Sequence, residues 1–299
     1  MDRELQPQLK NAKDIRNILK EVPISFELEG GLDIRTLLIY LPIKNGLSCY
    51  EDFFEKIKQG ILYNFVFSCS EVEKKLDIGS SSAVEDLFDK AIRKLSRHTA
   101  KGELGELILF TLLDVYFNAP KLLSKISLKT NPRMPVYGAD AVHGQFENGN
   151  FKLYLGESKL HKKFKPASKA AAKSIESAKA KFGDEFDLLD SHMDFPNLDD
   201  ELELKLLDLL NPFSDNDLSD VIHSPCFIGF SDPELIADAS SESVFIQNYT
   251  ALAQQHIADF FHETEQQGSS IDEISLLMLP FSCVDELVKG FIDYMGITQ

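Results

Sequence analysis

The sequence predicts an α/β fold with a mixed central sheet flanked by helices, and three patterns carry that prediction. A β-branched and aromatic run at 33–43 precedes two helix-like segments. A strand–turn–strand pattern at 135–160 lies between two long helix patterns, 98–120 and 166–182. Two short apolar runs, 226–232 and 270–281, are each followed by a helix candidate. A chain of 299 residues can bury one large core or two modest ones.

Along the chain, "DIRTLLIYLPI" (33–43) reads as a strand because β-branched and aromatic residues crowd it. "CYEDFFEKIKQGILYNFVFS" (49–68) predicts a helix ending near Gly60 and then a strand. "GSSSAVEDLFDKAIRKLSR" (79–97) predicts a serine cap and an amphipathic helix with Val84, Leu87, Phe88, Ile92 and Leu95 as its stripe. Residues 1–95 thus form an N-terminal α/β region that carries no chemistry of its own and suits a partner-facing or supporting role. Residues 96–299 follow as a second unit.

That unit opens on "HTAKGELGELILFTLLDVYFNAP" (98–120). Leu104, Leu107, Ile108, Leu112 and Val115 recur at helical spacing, while Leu109, Phe110 and Leu113 cover the other side, so this helix is expected to be buried on more than one face. "MPVYGADAVHGQFENGNFKLYLGESKLH" (134–161) predicts a hairpin with strands 135–144 and 151–160 and a turn at "ENGN". "PASKAAAKSIESAKAKF" (166–182) predicts a helix from Pro166. Further on come a helix at 200–213, a strand at 226–232, a helix at 248–267, a strand at 270–281 and a last helix at 282–296. "SLLMLPF" is expected to pair with "CFIGF" in one sheet.

Charge and composition narrow the function. The formal net charge is −17, with no Trp and 22 Phe, and the pI is about 4.8. A protein that held nucleic acid over its whole surface would be basic, but the charge is uneven. Lysines are dense from Lys159 to Lys181, and acids dominate from Asp184 to Asp220. The N-terminus lacks a signal-peptide core and no apolar run reaches membrane-span length, so the expected location is cytoplasmic, with no membrane partner. Cys49, Cys69, Cys226 and Cys283 are far apart, without CxxC spacing, and support neither a zinc module nor a redox pair. No GxxxxGK[ST] occurs, which excludes a P-loop motor.

The chemistry concentrates on the hairpin. Glu157 and Lys159 are two apart on a strand and must share a face. Pairing across the turn brings Asp140 opposite or diagonal to Glu157. Three ionisable groups in apolar strands cost desolvation, which a hard divalent cation, Mg²⁺ or Mn²⁺, would offset through Asp140, Glu157 and the Ser158 carbonyl. Lys159 would then orient water and steady charge on a phosphate. This is the arrangement expected for phosphodiester hydrolysis. Glu106, or else Glu103 one turn earlier, would complete the metal shell from the buried helix, and Glu106 is favoured because it lies beside Leu107 and Phe110 on a crowded surface. Glu103 reads as a solvated first-turn charge suited to the helix dipole. His143 and His161 lie near the site but read as plain surface or turn histidines rather than proton shuttles.

The order of Glu106, "GAD" at 138–140 and "ESK" at 157–159 resembles the core of the PD-(D/E)xK nuclease superfamily. More closely, "KGELGELI", "YGADAVHG" and "LYLGESKLHK" are similar to the HamA family of Hachiman anti-phage defence. The match is best over 98–182 and departs from the superfamily's name motif at Ala139. The resemblance implies a restriction-endonuclease-like core and a metal-dependent nuclease acting on double-stranded DNA. It also implies a HamB-like helicase that restrains the nuclease until it is needed. The motif residues map onto Glu106, Asp140, Glu157 and Lys159, with the first three as metal ligands. Lys162, Lys163, Lys165, Lys169 and Lys173 follow directly, where a duplex backbone would pass. The acidic 184–220 stretch suits solubility, docking on a basic partner, or shielding of the DNA groove. The competing reading is a non-catalytic DNA-binding or scaffolding subunit that regulates the helicase.

Overall fold

The computed structural model describes residues 5–28, 32–77, 82–134, 138–194, 200–214 and 216–298. Its strands are β1 (Lys20–Val22), β2 (Phe26–Leu28), β3 (Leu32–Tyr40), β4 (Ile43–Lys44), β5 (Leu47–Ser48), β6 (Ala141–Glu147), β7 (Asn150–His161), β8 (Ile222–Ser231) and β9 (Ile274–Phe281). The helices of the first half are α1 (Ala12–Ile18), α2 (Glu51–Lys56), α3 (Leu62–Val66), α4 (Cys69–Asp77), α5 (Ala83–Ile92) and α6 (Ala100–Tyr116). Those of the second half are α7 (Phe164–Ala180), α8 (Phe182–His192), α9 (Asp200–Leu210), α10 (Pro233–Ala237), α11 (Glu242–Gln266) and α12 (Val284–Met295).

One mixed seven-stranded sheet runs β1-β3-β9-β8-β7-β6, with β2 also paired to β3. The expected α/β class and mixed sheet are therefore present, in keeping with a restriction-endonuclease-like core. Strands β3, β9, β8 and β7 are mutually parallel, whereas β6, β1 and β2 run antiparallel to their neighbours. The expected pairing of the two apolar runs holds, with Cys226 opposite Leu276 and Phe227 opposite Leu277. Every residue of β9 is buried. A strand covered on both faces has no reason to alternate, which is why "ISLLMLPF" reads as a continuous apolar run.

Alternation sorts the two faces. Phe227, Leu277, Leu279 and Phe281 pack with α6 in one core cluster. Cys226, Ile228, Leu276 and Met278 pack with α7 and α11 in another. A third cluster joins Leu153 and Leu155 of β7 to α8 and α9. Helix α6 is buried along nearly its whole length, as its apolar residues on all sides predict.

Two expectations about the first hundred residues fail. Residues 62–68 do not form a strand: α2, a π-helical turn at Ile57–Ile61 and α3 run on as one kinked helical stretch. Phe53, Phe54, Ile57, Ile61, Leu62, Phe65 and Val66 are all buried, so helical spacing rather than alternation meets the core. Its end is held by the buried Lys121 ammonium, which donates to the carbonyls of Asn64, of Phe65 at 2.9 Å and of Phe67 at 2.7 Å. A helix end needs such partners, and this one comes from outside the local sequence. In α5, Leu87 is buried, as is Leu95 just beyond the helix, but Val84 is 42% exposed and stands off the stripe. Ser82 occupies the α5 N-cap position; Gly79, Ser80 and Ser81 lie outside the described residues.

The hairpin is present with a shifted first arm. β6 begins at Ala141 rather than 135, and Pro135 to Tyr137 lie outside the described residues. Asn148 and Gly149 both take positive φ, 52° and 83°, as a tight two-residue hairpin turn requires.

Candidate active site

Strand β7 places the "ESK" residues by alternation. Glu157 lies opposite Cys226 and Lys159 opposite Ile228, so both point to the α7 side, while Ser158 lies opposite Phe227 and points to the α6 side. Helix α6 comes close over Ser158 because position 105 is glycine: a Cβ there would stand 3.2 Å from Ser158 Oγ.

Asp140 immediately precedes β6. Its N–H donates to the Gly156 carbonyl at 2.9 Å. Its carboxylate accepts from the Ser158 N–H at 2.8 Å and the Ser158 hydroxyl at 2.9 Å. The aspartate therefore sits at the sheet edge, between the two layers. On the α7 side it borders a cleft of about 540 Å³ together with Glu157, Lys159 and Lys181. On the α6 side it borders a cleft of about 190 Å³ with Glu106, Lys125 and Lys129. The structure thus brings Asp140, Glu157 and Lys159 to one cleft and sets Glu106 against Asp140 from the other side.

Electrostatics link the same groups. Burial, then Asp140 and Glu103, push Glu106 up to about 8, against the pull of Lys129 and Lys125. Burial and then Asp140 push Glu157 up to about 7, although it is ion-paired with Lys159. Burial also raises Asp140, against two hydrogen bonds from Ser158 and the charge of Lys159. For Lys159, burial pulls downward, but Glu157 and Asp140 outweigh it and the net direction is up. Burial is thus the first cause that disfavours ionisation at all three carboxylates, and the charge of Asp140 adds to it at Glu106 and Glu157.

Among the described residues, no three His, Cys, Asp or Glu side chains already surround one ion-sized point. The donor chemistry nevertheless fits a hard divalent cation: the oxygens are carboxylate, mutually repelling and largely desolvated. Glu106 is the available helix carboxylate, since among the described residues no hydrogen bond or ion pair engages it.

Glu103 is not the solvated first-turn charge that the helix-dipole argument predicts. It is 2% exposed, ion-paired to Lys129 at 2.5 Å, and accepts from Ser96 N–H at 3.2 Å and Thr99 Oγ1 at 2.7 Å. The reason is Lys129, delivered from beyond a 3₁₀ turn at Lys125–Leu128 that local sequence does not connect to α6. His143 is likewise no surface residue. It is buried in β6 with Nδ1 2.7 Å from the Ala119 carbonyl, and burial pulls its pKa down to about 3. His161 is half-buried at the end of β7, where its Nδ1 accepts from the Lys163 N–H at 3.1 Å.

Of the lysines, Lys162 is ion-paired to Asp285 at 2.6 Å. Lys163 is exposed at the start of α7, and Lys165, Lys169 and Lys173 are exposed at four-residue intervals along it. Continued at the same spacing, that ridge reaches Ser177 and Lys181, which border the larger cleft. The backbone-contact lysines expected from the sequence end at Lys173, and the four-residue spacing adds Lys181 from the same lysine-dense stretch. Lys125 and Glu185 lie outside that expectation, since nothing local in the sequence ties them to Asp140.

Among the described residues, no helix is long and apolar enough to cross a membrane. A family model described as HamA matches residues 16–295. No curated protein and no solved structure matches the chain.

Proposed function

Because this chain belongs to the HamA family, which implies a Hachiman defence context, we propose that the Asp140 clefts form the active site of a metal-dependent DNA nuclease. The observation that carries this reading is Asp140 itself. It is half-buried at the sheet edge, its carboxylate held by two hydrogen bonds from Ser158 and its backbone N–H by a third to Gly156, with Glu106 on one side and Glu157 with Lys159 on the other. A fold has no structural need to crowd these charges.

In this reading Glu106, Asp140 and Glu157 would hold Mg²⁺ or Mn²⁺, which when bound would supply Lewis-acid activation of water and screening of the phosphate charge. Ser158 keeps the Asp140 carboxylate turned toward its neighbours. Lys159, ion-paired with Glu157 and bordering the same cleft, would offer its ammonium to charge developing on the phosphate. Lys181 and the α7 ridge hold the flanking backbone. A HamB-like helicase with ATP would supply the restraint and the unwinding that this chain has no motif for. Incubating supercoiled plasmid with the protein and that helicase tests the reading: cleavage is expected with Mg²⁺ and not with EDTA. Absence of metal-dependent cleavage under every such condition contradicts it.

Two further results are expected. Replacing Lys165, Lys169 and Lys173 together by alanine lowers duplex affinity equally for all sequences. It also flattens the log affinity–log salt slope by about 0.9 for each phosphate no longer neutralised. An unchanged slope removes the ridge from the interface, and Lys181→Ala then tests the cleft alone.

The second concerns pH. Glu106 and Glu157 have folded-state values raised from 4.5 to about 8 and about 7, and Asp140 shifts in the same direction, so between about pH 4.5 and 8 the folded chain holds protons that the unfolded chain releases. Their contribution to stability is full below that window and is lost as pH rises through it. A divalent ion held by these carboxylates would compete with those protons. Stabilisation by Mg²⁺ should therefore grow from pH 5.5 to 8.5, as read by thermal melts against EDTA. A Mg²⁺ effect that is independent of pH contradicts carboxylate ligation.

A further inference from the structure

Asp140 is presented by the short loop Gly138–Ala139–Asp140, and both polar groups of the Ala139 backbone are taken by one buried ion pair. The Ala139 N–H donates to Glu185 Oε2 at 3.0 Å. The Ala139 carbonyl accepts from Lys125 Nζ at 2.9 Å. Lys125 and Glu185 also pair with each other, their side chains only 9% and 6% exposed. The two arrive from separate elements, Lys125 from the 3₁₀ turn beyond α6 and Glu185 from the first turn of α8.

The fit over the loop is close. Gly138 has φ +105°, and a Cβ there would stand 2.3 Å from Glu185 Oε2 and 2.4 Å from Lys125 Nζ. Only glycine lets the pair close on the backbone. Loop amides at a surface are ordinarily satisfied by water at no cost. Burying two charges for the purpose is expensive, and breaking such a pair on one side is more so. On the far side Asp140 is tied to Gly156 and Ser158 of β7. Its backbone is thus held from both directions, while its carboxylate faces two others that repel it.

We propose that Lys125 and Glu185 are positioning residues that clamp the Ala139 backbone and so hold Asp140 between Glu106 and Glu157, ready for a divalent cation. The proposal rests on the nuclease reading for its purpose but not for its geometry. Without the clamp the Ala139 backbone loses both partners on this side, the loop is free to move, and a cation must then reorganise it on binding.

The test compares wild type with Lys125→Met and Glu185→Gln, using the full chain. Amide deuterium exchange over 138–141 and Mn²⁺ affinity by electron paramagnetic resonance are measured on the chain alone. Plasmid cleavage against Mg²⁺ concentration is measured with the helicase and ATP. In Lys125→Met, exchange should quicken about tenfold, as expected for a lost buried hydrogen bond, and Mn²⁺ affinity should fall about 10–100-fold, the usual range for residues behind metal ligands. Half-maximal cleavage should move to correspondingly higher Mg²⁺, with activity partly regained at saturating metal. Glu185→Gln keeps an acceptor for the Ala139 N–H and loses the charge, so it should shift in the same direction by less. It also decides the matter if Lys125→Met does not fold. Folded variants with wild-type exchange and wild-type Mn²⁺ affinity would overturn the clamp, and cleavage by the wild type would then leave the nuclease reading intact. Conversely, a wild type that never cleaves removes the nuclease reading, while faster exchange in the variants still upholds the clamp.

Discussion

Glu157→Gln is expected to lower DNA cleavage by at least ~10²-fold. Metal-borne stabilisation of transition-state charge is worth several kcal/mol, and each ~1.4 kcal/mol is a factor of ten in rate. The substitution keeps size and hydrogen bonding but removes one ligand charge and the ion partner of Lys159. Because Glu157 is buried with its pKa raised, first by burial and then by Asp140, the neutral amide relieves repulsion, and the metal-free variant should melt no lower than wild type. Loss of activity without loss of stability separates a ligand from a scaffold residue. Thermal melts and single-turnover cleavage on the same preparations provide both readings. A variant that cleaves like wild type removes Glu157 from the site.

The largest stability effect is expected at Lys129. Its ammonium and the Glu103 carboxylate are 3% and 2% exposed and 2.5 Å apart. Lys129→Met leaves a buried carboxylate without its counter-charge, a change that costs about 3–5 kcal/mol in comparable pairs. Glu103 also accepts from Ser96 and Thr99, tying the start of α6 to the preceding turn. The substitution therefore loosens the helix end that carries Glu106. Urea denaturation should show the midpoint drop, and the Glu103→Met, Lys129→Met double variant should be less destabilised than the sum of the two single variants. Strict additivity contradicts a direct pair.

What the sequence disclosed and what it concealed divide along physical lines. The hairpin, the helix over 98–120 and the pairing of "CFIGF" with "SLLMLPF" were legible because periodicity and turn chemistry are local. Two-residue spacing put Glu157 and Lys159 on one face, and the register puts Asp140 beside them. The failures came where a distant side chain decided the outcome. The strand expected after Gly60 became helix within a core whose end Lys121 holds. The expectation of a solvated Glu103 fails because nothing in the first turn of α6 points to Lys129. His143 sits in β6 against Ala119, with no turn or surface around it. The clamp of Lys125 and Glu185 on Ala139 joins segments that no spacing rule relates. Of that arrangement only Gly138 was visible in the sequence, and its reason was not.

The N-terminal region enters the same account. β3 lies beside β9 in the central sheet, and the N–H groups of Gln8 and Leu9 donate to the Asp114 carboxylate of α6 at 2.8 and 3.0 Å. The helix that carries Glu106 is therefore held from both ends, by Glu103 with Lys129 at its start and by the N-terminal segment near its finish.

The most direct measurement is plasmid cleavage by wild type and Asp140→Asn in parallel, with the helicase and ATP supplied, in Mg²⁺ and in EDTA. The account predicts cut plasmid for wild type in Mg²⁺ alone, and none above background for the variant. Equal cleavage by Asp140→Asn, or cleavage that survives EDTA, would contradict it.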